Sequence, residues 1–336
     1  MTSLLFVTGQ VRALEHKLLD VNRLDRMIGA ASPEDSFRVL VELQYAEYFD
    51  ELTQAQDFSR IIQQGLQETK HLLVEGTQGH PGLEFLWLEF DLNNIKRALK
   101  LKYLEGASGI DSFEEKDGFS SLGNLSSESL ASAVFEDRFS DNFPVAFVDV
   151  IRQTESILEA NDRHFRFVEF ACDQAYFLQL NTLVQRVKAP FLKNLFALKA
   201  DQANLRMIAR NILLFEEDFP AGMLIPFGSV VASEWHAVRD LSTFIKKFQQ
   251  TADWKIGDCL SEDASPEQNV HALEKAFDQA YSQFLREAQE GEIDSISVVF
   301  NYFERRLQNA RLLKFVMFSK FHGLSPDAIY KTLQQF

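Results

Sequence analysis

The amino-acid sequence predicts an all-α protein built from three divergent helical repeats. Apolar residues recur at helical spacing, strand patterns are scarce, and similar segments return about one hundred residues apart. Val11, Leu14, Leu18 and Val21, for example, follow the spacing of one helix face. The most strand-like stretch, residues 144–152, continues at helical period, so it too is predicted to be helical.

Three helix starts are marked by a serine, a proline and an acidic residue in succession. They are Ser32-Pro33-Glu34, Ser265-Pro266-Glu267 and Ser325-Pro326-Asp327. The serine hydroxyl can cap free backbone amides, proline fits the first turn, and the acid lies at the positive end of the helix dipole. We therefore predict a helix beginning at each proline.

Glycine-rich and proline-rich stretches divide the chain. They lie at residues 76–82, 106–129 and 219–228. These breaks predict three parts: a first helical repeat at 1–110, a linker and second repeat at 111–218, and a third repeat at 219–336.

Composition and charge narrow the function classes. The net charge is −15 and the isoelectric point is near 5.0, which argues against nucleic-acid partners and against direct adhesion to anionic lipid. Cys172 and Cys259 are too far apart for a zinc knuckle and are predicted to be free thiols. The histidines lack metal-ligand spacing, there is no phosphate-binding glycine loop, and the acidic run at 215–219 is interpreted as an exposed helix end. No catalytic residue, cofactor or metal is predicted.

The repeat is clearest in one pair of segments. EFACDQAY at 169–176 shares six of eight letters with EKAFDQAY at 274–281, which lies 105 residues later. Asparagine follows the aspartate of each segment by 31 residues, and residues 91–100 supply a third version of the asparagine segment. The first copy reads QQGL where the others read DQAY. The signature residues, interpreted as structural, are Asn94, Asn204, Asn309, Asp173, Tyr176, Asp278 and Tyr281.

Each asparagine segment also carries basic residues three or four positions apart, which share a helix face. They are Lys96 and Lys100, Arg206 and Arg210, and Arg311 and Lys314. Two interpretations stay open. The side chains could be solvated or form ion pairs within the chain, or the three helices could direct them toward a common partner.

The threefold asparagine-centred repeat, the segment VRALEHKLLD and the ending VVFNYFERRLQNARLLKFVMFSKFHGLSPDAIYKTL resemble the C subunit of V-type and archaeal-type rotary ATPases. In the eukaryotic enzyme this subunit is called d. The resemblance covers nearly the whole chain. One departure is Arg306, where the family tends to carry an acid three residues before the asparagine; Glu304 keeps an acid two places earlier.

The resemblance implies a funnel of three helical domains around a central cavity. It also implies a non-catalytic rotor subunit that stands on the membrane proteolipid ring and receives the central shaft subunit. Such a protein would be peripheral, held at the cytoplasmic face by its complex, without lipid insertion or self-association. The alternative is an unrelated helical scaffold that binds a peptide or a partner helix in a groove.

Overall fold

The computed structural model describes residues 4–43, 53–106, 118–215, 222, 224–228, 235, 238, 240–251, 259–290 and 295–333. These residues form helices and turns and contain no strand, so the predicted all-α class is confirmed. The helices are α1 (Leu5–Leu14), α2 (Val21–Gly29), α3 (Pro33–Arg38), α4 (Phe58–Gly76), α5 (Glu84–Tyr103), α6 (Ser127–Glu136), α7 (Val145–Ala160), α8 (Arg166–Val187), α9 (Pro190–Arg210), α10 (Leu241–Thr251), α11 (Pro266–Gln289), α12 (Ile296–Phe321) and α13 (Pro326–Leu333).

The three predicted helix starts are confirmed. Helices α3, α11 and α13 each begin at the expected proline. The preceding serine hydroxyl accepts a backbone amide hydrogen bond in every case, at 3.1 Å for Ser32, 3.2 Å for Ser265 and 3.3 Å for Ser325. Within the strand-like stretch at 144–152, Pro144 is the N-cap residue and residues 145–152 form the first half of α7.

The chain divides into two compact units. The first combines residues 1–80 with residues 285–336. In it α12 packs against α1, α2, α3 and α4. The Phe58 ring meets Phe318 edge to face at 5.1 Å and stacks on Phe321 at 5.8 Å. Aromatic contacts of this kind stabilise the interface between α4 and α12 beyond what the burial of apolar surface contributes.

The second unit covers residues 81–284. In it α8 packs against α5, α7 and α9. A core cluster around α9 joins Leu205 and Ile208 to Trp235, Phe244 and Phe277. The division into three repeats at 1–110, 111–218 and 219–336 stays a prediction. Residues 216–219 of the acidic run lie outside the described part of the chain.

Candidate functional site

The asparagines of the first two copies fasten loops to the helices that carry them. In α5 the Asn94 amide donates to the Ser120 carbonyl oxygen at 2.8 Å and accepts from the Ser120 backbone amide at 2.8 Å. In α9 Asn204 makes the same pair of bonds to Ile225, at 3.0 and 2.8 Å. Both asparagines are buried. Each side chain therefore satisfies both backbone groups of one loop residue, and we call this arrangement the asparagine clamp.

A buried aspartate lies one turn before each of these clamps. Asp91 Oδ1 accepts backbone amides from residues 124 and 125 at 2.8 and 2.9 Å. The loops approach these carboxylates at glycine. A Cβ atom on Gly123 would lie 2.3 Å from Asp91 Oδ1, and one on Gly228 would lie 2.3 Å from Asp201 Oδ1. The equivalent spacing in both copies shows that clamp, acid and glycine form one repeated unit.

The third asparagine, in α12, holds a segment from the start of the chain. In the amide orientation that satisfies both groups, Asn309 accepts from the Leu19 backbone amide at 2.7 Å. Its Nδ2 donates to the Arg305 carbonyl oxygen of its own helix at 3.2 Å. The third copy therefore keeps only one of the two bonds to the held residue.

Arg306 occupies the position that Asp91 and Asp201 hold in the other copies. It is 2% exposed, and its guanidinium donates to Thr69 Oγ1 at 3.3 Å and to the Gly65 carbonyl oxygen at 3.4 Å. A cleft of about 620 Å³ in the first unit opens onto this side chain. Its wall consists of Phe6, Gln10, Leu14, Lys17, Leu43, Gly65, Glu68, Thr69, His71, Leu72, Glu75, Gly76, Tyr302 and Arg306. Basic and acidic side chains both line the cleft, so its charge does not favour anionic over cationic ligands.

The basic pair of the first copy is neutralised within the chain. Lys96 Nζ lies 2.6 Å from Asp173 Oδ1, and Lys100 Nζ lies 2.6 Å from Glu169 Oε1. Lys100 also lies over the Phe165 ring, 5.7 Å from its centre. The two acids are one turn apart on α8, so they match the one-turn spacing of the lysines on α5.

The second copy repeats this pairing with one acid. Glu274 of α11 lies 2.7 Å from Arg206 Nε and 2.8 Å from Arg210 Nη2. The Arg206 guanidinium lies over the Phe277 ring at 5.1 Å. Glu274 aligns with Glu169 in the octapeptide repeat. In both copies the octapeptide therefore provides an acid that forms an ion pair with the basic residues of the helix that carries the asparagine. We did not assign this role to Glu169 or Glu274 from the sequence.

The third basic pair, Arg311 and Lys314, differs from the other two in its electrostatic surroundings. Arg311 is exposed and Lys314 is half-buried on α12. Within the residues that the structure describes, neither side chain forms an ion pair. Burial lowers the pKa of Lys314 from its ordinary value, as expected for an ammonium group that loses water without gaining a carboxylate.

The remaining signature residues differ in exposure. Tyr176 is buried, and its ring meets Phe177 edge to face at 5.1 Å. Tyr281 is half-buried under the Lys199 ammonium, which lies 5.2 Å from the ring centre. Asp278 is exposed on α11, whereas its counterpart Asp173 is half-buried beside Lys96. The two octapeptides therefore do not present their aspartates in the same way.

Burial on α8 shifts two acidic groups. It raises the pKa of the Cys172 thiol to about 12. Burial also raises the pKa of the Asp173 carboxyl, against the opposing effect of Lys96. At neutral pH Cys172 is therefore a protonated thiol, which is a poor nucleophile.

The described residues include no group of three or more His, Cys, Asp or Glu side chains that could hold a metal ion. Within the same residues, no helix combines the length and the apolar character that a bilayer crossing requires.

No curated protein matches the chain. The family model of the ATP synthase (C/AC39) subunit matches residues 7–332, which is nearly all of it. The chain therefore belongs to the C/AC39 subunit family of the V-type and archaeal-type ATP synthases.

Proposed function

We propose that this chain is a non-catalytic subunit of the central stalk, a socket that couples the rotating shaft subunit to the membrane proteolipid ring. The observation that carries the proposal is the family match over residues 7–332. It favours a rotary ATPase subunit over an unrelated peptide-binding scaffold. In this role the chain sits peripherally at the cytoplasmic face and turns with the rotor.

The internal bonding suits a part that transmits torque. Such a body has to keep its shape under load, so its loops and helices need many fixed contacts. The asparagine clamps at Asn94 and Asn204 fix loops to the helices that carry them, and ion pairs join α5 to α8 and α9 to α11. Close-packed interiors resist deformation, and the 31 phenylalanines of the chain supply bulky side chains for such packing.

Retention in the assembled ATPase tests the proposal. A tagged chain is expressed in cells that contain the other ATPase subunits, and the membranes are solubilised in mild detergent. We expect the tag to recover both the shaft subunit and the proteolipid ring. We also expect the purified chain alone to show no ATP hydrolysis. Recovery of neither partner, or of soluble proteins unrelated to the ATPase, would refute the proposed role.

A further inference from the structure

The three basic pairs are not equivalent in the folded protein. Lys96 with Lys100, and Arg206 with Arg210, face carboxylates of the chain at 2.6 to 2.8 Å. Arg311 aligns with Lys96 and Arg206, two residues after the asparagine in each copy. Arg311 and its neighbour Lys314 have no carboxylate within ion-pair distance among the described residues.

The reason lies in the helix that packs against α12. Helices α4 and α12 run antiparallel, because Phe58 contacts Phe318 while Gly65 accepts a bond from Arg306. Arg311 and Lys314 lie between these two contacts on α12, and residues 59–64 lie between them on α4.

The same register aligns Ser59 with Glu169 and Gln63 with Asp173. Neither Ser59 nor Gln63 carries a charge. The first copy therefore lacks both acids that neutralise the lysine pair of α5, including the one whose counterpart, Glu274, neutralises the arginine pair of α9.

We propose that Arg311 and Lys314 bind a helix of a neighbouring ATPase subunit that carries two carboxylates one turn apart. This inference rests on the proposed function, because it requires a partner in the assembled complex. The chemistry of the occupant follows from α8, where Glu169 and Asp173 have that spacing and contact the basic pair of α5.

Exposure and charge fit such a partner. Arg311 is exposed and can engage a carboxylate through two parallel hydrogen bonds. Lys314 is half-buried, so a carboxylate beside it would compensate for the water it has lost. In a chain of net charge −15, a local pair of cations is also needed to attract an acidic helix.

The first test reverses the charge. Arg311→Glu is compared with Lys331→Glu, which makes the same charge change at an exposed position of α13. Each tagged variant is expressed with the other ATPase subunits, and recovery of the complex is measured over a range of salt concentrations. We expect Arg311→Glu to lower recovery about tenfold and Lys331→Glu to leave it unchanged. Equal recovery of Arg311→Glu and wild type would overturn the inference.

The second test restores the missing acid. Gln63→Asp should give Arg311 an internal partner, as Asp173 does for Lys96. We expect this variant to raise the unfolding temperature of the isolated chain and to weaken its recovery with the complex. Gln67→Asp, at an exposed position of the same helix, is the matched control and should do neither. A Gln63→Asp variant that binds the complex like wild type would contradict the inference.

Different results would contradict the proposed function and the proposed contact of Arg311 and Lys314. If wild-type chain recovers the shaft subunit and the ring while all variants match it, only the role of Arg311 and Lys314 is wrong. If wild-type chain recovers neither partner, the proposed function is wrong and this inference falls with it.

Discussion

Replacing Asn204 with alanine should destabilise the second unit strongly, because its clamp serves a fully enclosed loop residue. Asn204 is 0% exposed and Ile225 is 1% exposed, so no bulk water can replace the lost bonds. The substitution removes the partner of one backbone amide and one backbone carbonyl. A buried polar group left unsatisfied costs about 1 to 3 kcal/mol. Two such groups give an expected loss of about 4 kcal/mol in the free energy of unfolding.

Urea unfolding followed by circular dichroism measures the total loss, and hydrogen exchange of residues 224–228 reports on the clamp itself. Asn204→Asp keeps the side-chain size but turns an oxygen toward the Ile225 carbonyl oxygen. It should therefore also destabilise the protein, which separates hydrogen bonding from cavity formation. Asn309→Ala, which frees one half-buried amide, should cost only about 1 kcal/mol. A smaller loss of unfolding free energy for Asn204→Ala than for Asn309→Ala, with residues 224–228 still protected from exchange, would contradict this prediction.

Three further predictions concern single residues. At pH 8, iodoacetamide should modify Cys259 in the folded protein but modify Cys172 only after denaturation, because Cys172 is buried and protonated. Peptide mass spectrometry measures the labelling of each cysteine. Labelling of Cys172 in the folded protein would contradict its burial. Gly228→Ala should lower the free energy of unfolding, measured in urea, by about 2 kcal/mol or more, because φ is +94° and Asp201 occupies the space that a Cβ atom would need. Gly222→Ala is the control and should leave the free energy of unfolding unchanged, because no atom lies near the position of its Cβ. Burial raises the pKa of the Asp173 carboxyl. Between the ordinary and the raised pKa, the folded state therefore binds more protons than the unfolded state. The contribution of this group to the free energy of unfolding falls as the pH rises through that window. The stability of wild type relative to Asp173→Asn should therefore be lower at pH 7 than at pH 4, and the opposite trend would show that the Lys96 ion pair dominates.

Local features of the fold could be predicted from the sequence because their causes are local. The serine caps of α3, α11 and α13 depend on neighbouring residues, and the structure confirms all three starts. Apolar spacing likewise predicted that the strand-like stretch at 144–152 is helical, and the structure has a helix at Val145–Ala160. In both cases the deciding interactions lie within a few residues of each other.

Pairing between helices could not be derived in the same way. The spacing of Lys96 and Lys100 showed that they share a helix face, but not that Glu169 and Asp173 lie opposite. Such a contact depends on how α8 packs against α5, which the residues of either helix alone do not determine. The octapeptide repeat did contain a clue, since Glu169 recurs as Glu274.

The exchange of aspartate for Arg306 was visible in the sequence, but its consequence was not. An aspartate at this position in the other copies is buried beside a loop. A longer, basic side chain cannot accept backbone amides, so Arg306 instead donates to Gly65 and Thr69 of α4. Only the packed structure shows that α4 supplies a carbonyl oxygen and a hydroxyl at that point.

The joining of residues 1–80 and 285–336 in the first unit has a consequence for biosynthesis. Arg305 of α12 contacts Glu15, 290 residues earlier, at 2.9 Å. At about 5 to 20 residues per second, a ribosome needs roughly 15 to 60 s to cover that interval. Throughout that time the nascent α1 exists without α12, and apolar side chains such as Val7 and Val11, which end up buried, lack that cover. Chaperone binding to the newly made helix α1 is therefore expected until α12 has been synthesised.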